Sequence, residues 1–252
     1  MRTGADGCGQ VPSGAGLSEI ARNLARIQER IGAAALRAGR RPEDVRLVAV
    51  SKTFPIQALR EAYQAGQRDF GENKVQEALQ KMEAGADMQI GWHLIGHLQS
   101  NKAKKAAGRA DWIHAIDSVD LLRRVDEVAL AAGRVVEVLV QVDLALEPAK
   151  HGAAVDVVPA LLQAASTLRG ARLRGLMLLP PLVDDPERAR PWFRQLREWR
   201  DRWLAAGVPS AALQELSMGM SHDFEVAIEE GATMVRVGSA IFGTRSYAPT
   251  GP

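Results

Sequence analysis

The sequence predicts a parallel (β/α)8 barrel, in which eight strands alternate with helices and close on themselves. Three observations predict this fold. Short apolar, often β-branched runs alternate with stretches of helical periodicity along almost the whole chain. The 252 residues match the length typical of the fold. The alternative, a doubly wound open sheet, needs a glycine-rich turn after its first strand, and Ser51 to Pro55 do not provide one.

The predicted strands are apolar runs too short to be helices. They cover residues 45–52, 68–71, 91–96, 112–117, 135–143, 173–179, 214–218 and 234–238. Apolar residues at helical spacing predict the helices between them, at residues 56–65, 73–84, 100–107, 118–132, 154–168, 186–205 and 221–230. An extra helix precedes the barrel at residues 17–38, and Ser18 stands where it can cap the start of that helix.

The chain is predicted to form one domain, residues 17–247, because no linker rich in proline, glycine or serine divides it. Residues 1–16 are rich in glycine and small polar side chains. Such a segment buries too little apolar surface to become ordered, so we expect a flexible tail. Residues 248–252 form a short C-terminal tail.

Composition argues against several classes of function. Lys and Arg number 32 against 30 Asp and Glu, and a net charge of +2 gives no reason to expect a nucleic acid or another polyanion as partner. The single cysteine, Cys8, permits no intrachain disulfide and no cysteine metal cluster. No apolar run is long enough to cross a bilayer, and the N-terminus lacks the apolar core of a secretion signal. We therefore expect a cytoplasmic protein without a membrane partner.

The first predicted strand ends in Lys52, which shares a strand face with Val48 and Val50. An amine therefore stands at the end of an apolar row. A lysine in that position either marks the point where the strand reaches water or takes part in chemistry. Its neighbours in the fold decide between the two interpretations.

The last two predicted strands end in residues that suit a phosphate group. In (β/α)8 barrels the active site lies at the C-terminal ends of the strands, and phosphate is often held after strands seven and eight. The seventh strand leads into Ser217 and Ser221, and the eighth into Gly238 and Ser239. Free N–H groups at the start of a helical turn favour an anion. The structural alternatives are a helix cap at Ser221 and a tight turn at Gly238.

Two further polar residues stand at predicted strand ends. Arg236 shares a strand face with Gly238 and is flanked by valines, so it is expected to have a partner inside the barrel mouth. That partner is either a barrel carboxylate such as Asp143 or a ligand's ring nitrogen or carboxylate. Asn73, with Gln76 three residues later, resembles a helix-capping pair.

No metal site is predicted. His93 and His97 are four residues apart on a strand, which separates them by about 13 Å, too far for one ion. His93 is expected to be hydrogen-bonded near the core.

The helix at 186–205 carries six arginines beside an apolar stripe of Trp192, Leu196, Trp199 and Trp203. Such a helix binds nucleic acid or membrane in some proteins, but the intervening acidic residues favour an outer helix that covers the sheet.

Six motifs together resemble the pyridoxal phosphate homeostasis protein family. They are Ala49 to Thr53, Phe70 to Glu77, Trp92 to Lys102, Gly175 to Met177, Leu216 to Ser221 and Met234 to Gly243. The similarity covers about residues 17 to 247, in the family's order. It implies a single barrel of the alanine racemase type, known as fold type III, which binds pyridoxal 5′-phosphate (PLP).

The resemblance also implies roles for individual residues. Lys52 would form a Schiff base with the cofactor aldehyde, and Arg236 would face the pyridine nitrogen. A protonated arginine leaves that nitrogen unprotonated and weakens the ring as an electron sink. Asn73 would lie beside the ring. The phosphate would be held by four residues, Ser217, Ser221, Gly238 and Ser239.

Other positions match the family less closely or add to its pattern. Lys150 matches the family's lysine after the fifth strand and would supply a second amine at the mouth. Phe54 stands where many members have a polar or basic residue. Residues 178–181 and 221–224 also vary the family pattern. These departures affect the rim of the site, not the positions of the cofactor residues.

The function that the resemblance implies is PLP binding for cofactor homeostasis, without established catalysis, in a monomer that serves PLP-dependent apo-enzymes. The alternative is an amino acid racemase or related enzyme of low activity. Two-base racemisation needs an acid or base on each face of the substrate. In alanine racemases a tyrosine from an additional domain fills the second role, and here the tyrosines are Tyr63, within a predicted helix, and Tyr247, near the C-terminus. Binding is therefore favoured over catalysis.

Overall fold

The computed structural model describes residues 17–145 and 151–243, and these residues form one closed parallel barrel. The strands are β1 (Arg46–Val50), β2 (Asp69–Glu72), β3 (Gly91–Leu94), β4 (Trp112–Ile116), β5 (Val136–Asp143), β6 (Ala153–Ala154), β7 (Ala171–Leu178), β8 (Glu215–Met220) and β9 (Met234–Val237). β6 is a two-residue addition that pairs with the end of β5. The other eight strands close the barrel because β9 pairs with β1 and β4 with β5, so the predicted fold class is confirmed.

Eight of the described helices fall where the periodicity predicts them, and a ninth short helix follows the last strand. They are α1 (Glu19–Arg37), α2 (Ile56–Gln64), α3 (Val75–Ala84), α4 (Ser100–Ala106), α5 (Val119–Ala131), α6 (Val158–Ala165), α7 (Arg190–Ala205), α8 (Phe224–Glu229) and α9 (Ser239–Phe242). Ser18 caps α1 by accepting from the Ala21 N–H at 3.2 Å, as predicted. α6 is shorter than predicted because residues 153–154 pair with β5 instead.

Two capping predictions are wrong. α3 begins at Val75 after Lys74, and no side chain caps it, so Asn73 and Gln76 are not a capping pair. α8 begins after Asp223, so Ser221 is not its N-cap. Both side chains are thereby available to the barrel mouth.

The predicted tails, residues 1–16 and 248–252, lie outside the described residues, as does Lys150.

The apolar core lies mainly between the strands and the surrounding helices. Its largest fully buried side chains include Leu59, Phe70, Phe193 and Phe224. A second, smaller cluster of Leu139, Met177 and Met234 is separate from it. Met234 alternates with the outward-facing Val235 and Val237 of the main core, which places the small cluster inside the barrel. The barrel interior is thus partly apolar and, as described below, partly polar.

Helix α7 covers the sheet in the way its apolar stripe predicts. Phe193, Leu196 and Trp203 are buried, and Trp192 and Trp199 pack against the same core. Among the described residues, no helix combines the length and apolar character needed to span a membrane.

The arginines of α7 bind carboxylates of the neighbouring helix α8 and the residue after it. Arg190 pairs with Glu229 at 2.7 Å and with Glu230 at 3.2 Å, and Arg194 and Arg197 reach Glu230 at 3.0 and 3.2 Å. Burial alone would raise the pKa of Glu230, but the hydrogen bonds from Arg194 and Arg190 hold it below its ordinary value. The basic face of α7 is therefore part of a structural ion-pair network.

We predict that Glu230→Gln destabilises the protein by about 1–3 kcal/mol near neutral pH, because three arginines lose a buried anion. The folded-state pKa of Glu230 is depressed, so its contribution is present above the unfolded-state pKa and is lost as the pH falls through the folded-state pKa. Urea unfolding at several pH values should show the difference between wild type and variant shrinking towards acid pH. Glu198→Gln, on the exposed face of α7, is the control; an equal loss there would contradict the assignment.

Candidate functional site

A cavity of about 530 Å³ opens at the C-terminal ends of the barrel strands. Six of the seven residues that the sequence analysis assigns to the site line this cavity, namely Lys52, Asn73, Ser221, Arg236, Gly238 and Ser239. The seventh, Ser217, lies fully buried beneath it. The fold therefore brings together residues from the ends of β1, β2, β8 and β9, because parallel strands end at one face of the barrel.

Lys52 follows β1 in a tight turn whose backbone is held on both sides. Thr53 has a φ of 70°, a left-handed conformation that is unusual for a residue other than glycine. The carboxylate of Glu77 accepts from the Thr53 N–H, and the Phe54 N–H donates to the Ser51 carbonyl at 3.0 Å. These bonds stabilise the turn, and they fix the backbone position from which the Lys52 side chain extends.

A buried ion cluster lies next to that turn. The Lys81 ammonium donates to Glu72 Oε1 and Glu77 Oε1, both at 2.7 Å, and to the Ser51 carbonyl at 2.8 Å. Glu72 also accepts from the Ser51 hydroxyl at 2.6 Å. Burial raises the pKa of the fully enclosed Glu72 carboxyl, and the bonds from Lys81 and Ser51 oppose that rise. One ammonium thus ties both carboxylates to the residue that precedes Lys52.

Arg236 forms part of the cavity wall although its side chain is almost completely buried. Its guanidinium donates to Ser217 Oγ at 2.6 Å and to the Leu178 carbonyl at 2.9 Å. No ion pair joins it to a carboxylate in the described ranges, so the predicted alternative of a salt bridge to Asp143 is wrong. Burial lowers the pKa of Arg236 to about 10. The group therefore remains a cation at neutral pH.

A chain of four hydrogen bonds leads from Arg236 through the barrel interior. After Ser217, it runs through His114 Nδ1 at 2.9 Å, from His114 Nε2 to His93 Nδ1 at 2.9 Å, and from His93 Nε2 to Asp69 at 2.8 Å. An ionised Asp69 can only accept a hydrogen bond, so His93 Nε2 carries the hydrogen. In each of the other hydrogen bonds of the chain, the residue nearer Arg236 is therefore the donor. The prediction that His93 is hydrogen-bonded near the core is confirmed.

Both histidines of this chain are held neutral. Burial lowers the pKa of His93, and the hydrogen bond to Asp69 opposes it. Burial also lowers the pKa of His114 well below its usual range, and the nearby His93 and Arg236 add to that effect. Neutral imidazoles satisfy the polar atoms inside the barrel without adding charge beside Arg236.

The position of Ser217 departs from the sequence analysis, which places it on the phosphate. Its hydroxyl is fully buried and already bonded to Arg236 and His114. The register of β8 against β9 shifts between Ser217 and Met220, where Gly219 has a φ of 90°. This irregularity leaves Ser217 in the interior and brings Ser221 to the cavity.

One end of the cavity is built from the ends of β8 and β9. Ser221 Oγ accepts from the Gly238 N–H at 3.2 Å, so its own hydrogen is available to a ligand. The first N–H groups of α9, beginning with Ser239, have no partner within the helix. Asn23 of α1 donates to the Ile241 carbonyl at 3.0 Å, which fixes α9 from outside the barrel. The extra N-terminal helix therefore supports this part of the site.

Two glycines permit close contacts between elements that carry site residues. A Cβ on Gly96 would lie 2.3 Å from the Asn73 carbonyl oxygen, so only glycine lets the loops after β2 and β3 meet. A Cβ on Gly238 would lie 3.1 Å from the Val50 carbonyl oxygen. A side chain at position 238 would therefore be crowded by β1 even without a ligand.

Several lining residues were not found by sequence reasoning. Gln141 is one of them. Phe54 and Leu179, which the sequence places at the rim, also line the cavity, and Phe54 packs on Phe242 with ring centroids 5.2 Å apart. His97 and His151 line one edge of the mouth; burial and the neighbouring His151 lower the pKa of His97. The sequence signal that could have found them is their position at the C-terminal ends of predicted strands, because those ends form the mouth of every such barrel.

The donors in the cavity suit a planar phosphorylated aldehyde. An amine and a buried cation stand on the wall, and a hydroxyl lies with N–H groups at the end of β9. The cavity volume lies within the range of small-ligand sites, which is about 300–1,000 Å³. An amine can condense with an aldehyde, and the hydroxyl and N–H groups can hold a phosphate dianion.

Comparison with known proteins identifies the class of protein to which the chain belongs. Residues 17–246 match the family model of the alanine racemase N-terminal domain. Among curated relatives, the chain is 44% identical to the pyridoxal phosphate homeostasis protein of Pseudomonas aeruginosa, over 92% of this chain and 98% of that protein. It is 43% identical to the protein of the same name from Aquifex aeolicus, over 89% and 97%.

A solved structure agrees with these relatives. PipY of Synechococcus elongatus with PLP bound superposes with a TM-score of 0.77 at 42% identity, covering 89% of this chain and all of that chain. The resemblance stated from the six motifs is therefore confirmed. The chain belongs to the pyridoxal phosphate homeostasis protein family.

We predict that Lys81→Met lowers the free energy of unfolding by about 3–5 kcal/mol, because it leaves the buried Glu72 carboxylate without its cation. The loss should become smaller at acid pH, where Glu72 takes up a proton. Urea unfolding measures both effects. Arg60→Met, which breaks the exposed pair with Asp87, is the control and should cost at most about 1 kcal/mol. Equal losses in the two variants would refute the role of Lys81.

We also predict that Ser217→Ala destabilises the fold by about 1–3 kcal/mol, because His114 and Arg236 each lose a buried partner. Urea unfolding gives the loss, and nitrogen NMR of the histidine rings should report a changed hydrogen-bonding state at His114. Ser166→Ala removes only an exposed bond to the Gln163 carbonyl and should change stability by less than about 0.5 kcal/mol. An unaltered His114 signal in Ser217→Ala would exclude the hydrogen-bond chain.

Proposed function

We propose that this protein binds PLP in the barrel-mouth cavity and holds it as a reversible store within the cell. One observation carries the proposal: Lys52, Arg236 and Ser221 share one cavity, in a chain that belongs to a family named for PLP homeostasis. The PipY structure, described as having PLP bound, supports the same cofactor.

Each part of the cofactor has a residue of matching chemistry. The Lys52 amine would form a Schiff base with the aldehyde, and Asn73 would lie beside the ring. The phosphate is held by the Ser221 hydroxyl and the N–H groups at the start of α9, with Ser239 first among them. Gly238 donates to Ser221 and so orients that hydroxyl.

Arg236 favours binding of the cofactor over catalysis with it. PLP supplies an electron-withdrawing ring when it is bound, and that ring acts most strongly with a protonated nitrogen. Arg236 is a cation whose hydrogen bonds to Ser217 and Leu178 fix its orientation, and it keeps its proton at neutral pH. A guanidinium in this position would face the pyridine nitrogen, keep it unprotonated and so limit catalysis.

Three further points complete the proposal. The protein acts in the cytoplasm, it is a monomer, and it passes PLP to PLP-dependent apo-enzymes. The sequence supports the first point, because its only cysteine cannot form an internal disulfide. A Schiff base supports the third, because the bond is reversible and releases the cofactor intact.

We predict that the purified protein mixed with PLP shows the visible absorption of a Schiff base, and that borohydride fixes one cofactor per chain on Lys52. Peptide mass spectrometry locates the label. Lys52→Ala should lose the absorption and the label, because Lys52 is the one lysine among the described residues that line the cavity. Lys150→Ala is the matched control and should keep both. Label at another lysine, or no binding of added PLP, would refute the proposal.

Incubation of the loaded protein with single enantiomers of amino acids, followed by chiral analysis, distinguishes storage from racemisation. We expect no turnover at ordinary enzyme rates. Turnover of several per second or more would instead support the racemase alternative.

A further inference from the structure

Three side chains from separate segments meet at one edge of the cavity mouth. His97 follows β3, Asp117 follows β4 and His151 lies between β5 and β6. One ligand atom from each residue, an imidazole nitrogen or a carboxylate oxygen, lies within 4.8 Å of the other two. Because neighbouring parallel strands end at the same face, positions far apart in the sequence converge here.

The arrangement is not a hydrogen-bonded cluster. The His97 and His151 rings are stacked face to face, with centroids 3.5 Å apart and planes 9° apart. His97 Nδ1 and the nearest Asp117 oxygen are 3.6 Å apart, too far for a hydrogen bond. That distance matches the separation of two ligands around one tetrahedral ion, which is roughly 3.4 Å for bonds of about 2.1 Å.

We propose that His97, Asp117 and His151 form a binding site for one divalent transition-metal ion of the zinc class. Two imidazoles and one carboxylate suit Zn²⁺ and its neighbours, whereas Mg²⁺ and Ca²⁺ prefer oxygen ligands alone. Three protein ligands leave a coordination position open. His97 and His151 also line the cavity, so the open position is accessible from it.

The surrounding structure holds these ligands in place. Asp117 directly precedes Ser118, which caps helix α5 by accepting from the Leu121 N–H at 3.3 Å. The Gln141 side chain donates to the backbone carbonyl of His151. β6 then pairs with β5 immediately after His151. These contacts fix the backbone at the ligands, which lowers the entropic cost of binding, and rotation of the stacked imidazole rings brings both nitrogens to one ion.

Sequence reasoning missed this site because it considered His97 only with His93. His93 is buried and bonded to Asp69 and His114, so it is not a candidate ligand at the mouth. The partner of His97 is supplied by the segment between β5 and β6. An ion there would join the ends of β3, β4 and β5 along one side of the opening.

Equilibrium dialysis of the cofactor-free, full-length protein against Zn²⁺, followed by metal analysis, tests the site. A Cys8→Ser background removes the only thiol, which could bind zinc elsewhere. We expect one ion per chain and a rise in the melting temperature with Zn²⁺. Each of His97→Gln, Asp117→Asn and His151→Gln should weaken binding by more than about 100-fold, since loss of an outer-shell partner alone costs about 10–100-fold.

His222→Gln is the matched control, because His222 also lines the cavity but bonds to the Asp184 carbonyl on a different loop. It should retain one ion and the same melting shift. Binding of less than one ion by the parent protein, binding that survives the three ligand substitutions, or loss of binding in the control would overturn the proposal. The measurement uses no PLP, so its failure would leave the proposed cofactor function unaffected.

Discussion

A single buried ammonium holds the segment that presents Lys52. Lys81 reaches from α3 to Glu72, Glu77 and the Ser51 carbonyl, and Glu77 in turn holds the strained backbone at Thr53. A buried charge cluster of this kind contributes little net stability, but breaking it is costly because a carboxylate is then left without its partner. The cluster therefore acts chiefly to specify one conformation of the turn, and the position of Lys52 depends on it.

The orientation of Arg236, on the strand next to β1, is fixed by neutral groups. Most barrels of this type fill their interior with layers of branched apolar side chains. Here Leu139, Met177 and Met234 occupy part of the interior, and the hydrogen-bonded line of histidines occupies the rest. The Arg236 guanidinium is oriented by its bonds to Ser217 and the Leu178 carbonyl, and within residues 17–145 and 151–243 no carboxylate forms an ion pair with it. A ligand in the cavity meets a cation whose geometry is set before binding.

Sequence reasoning located six of the seven assigned residues at the cavity because strand ends are readable from apolar runs, and the fold places all of those ends at one face. It failed for Ser217 because an irregular register in β8 changes which serine faces the mouth. The capping alternatives for Asn73 and Ser221 are also wrong, because α3 and α8 begin later than local preference suggests. Each of these differences is a local shift of one to three residues in strand register or in the start of a helix. Contacts between elements, not the local sequence, decide such shifts.

The sequence by itself determined the barrel, the order of its elements and the family, since these follow from periodicity and from motifs that are continuous along the chain. It also determined that the arginines of α7 alternate with acidic residues. Only the tertiary structure decided which charges meet: Arg190, Arg194 and Arg197 with Glu230, Lys81 with Glu72, and His97 with Asp117 and His151. These contacts join residues far apart in the chain, and no local pattern encodes the distances between them.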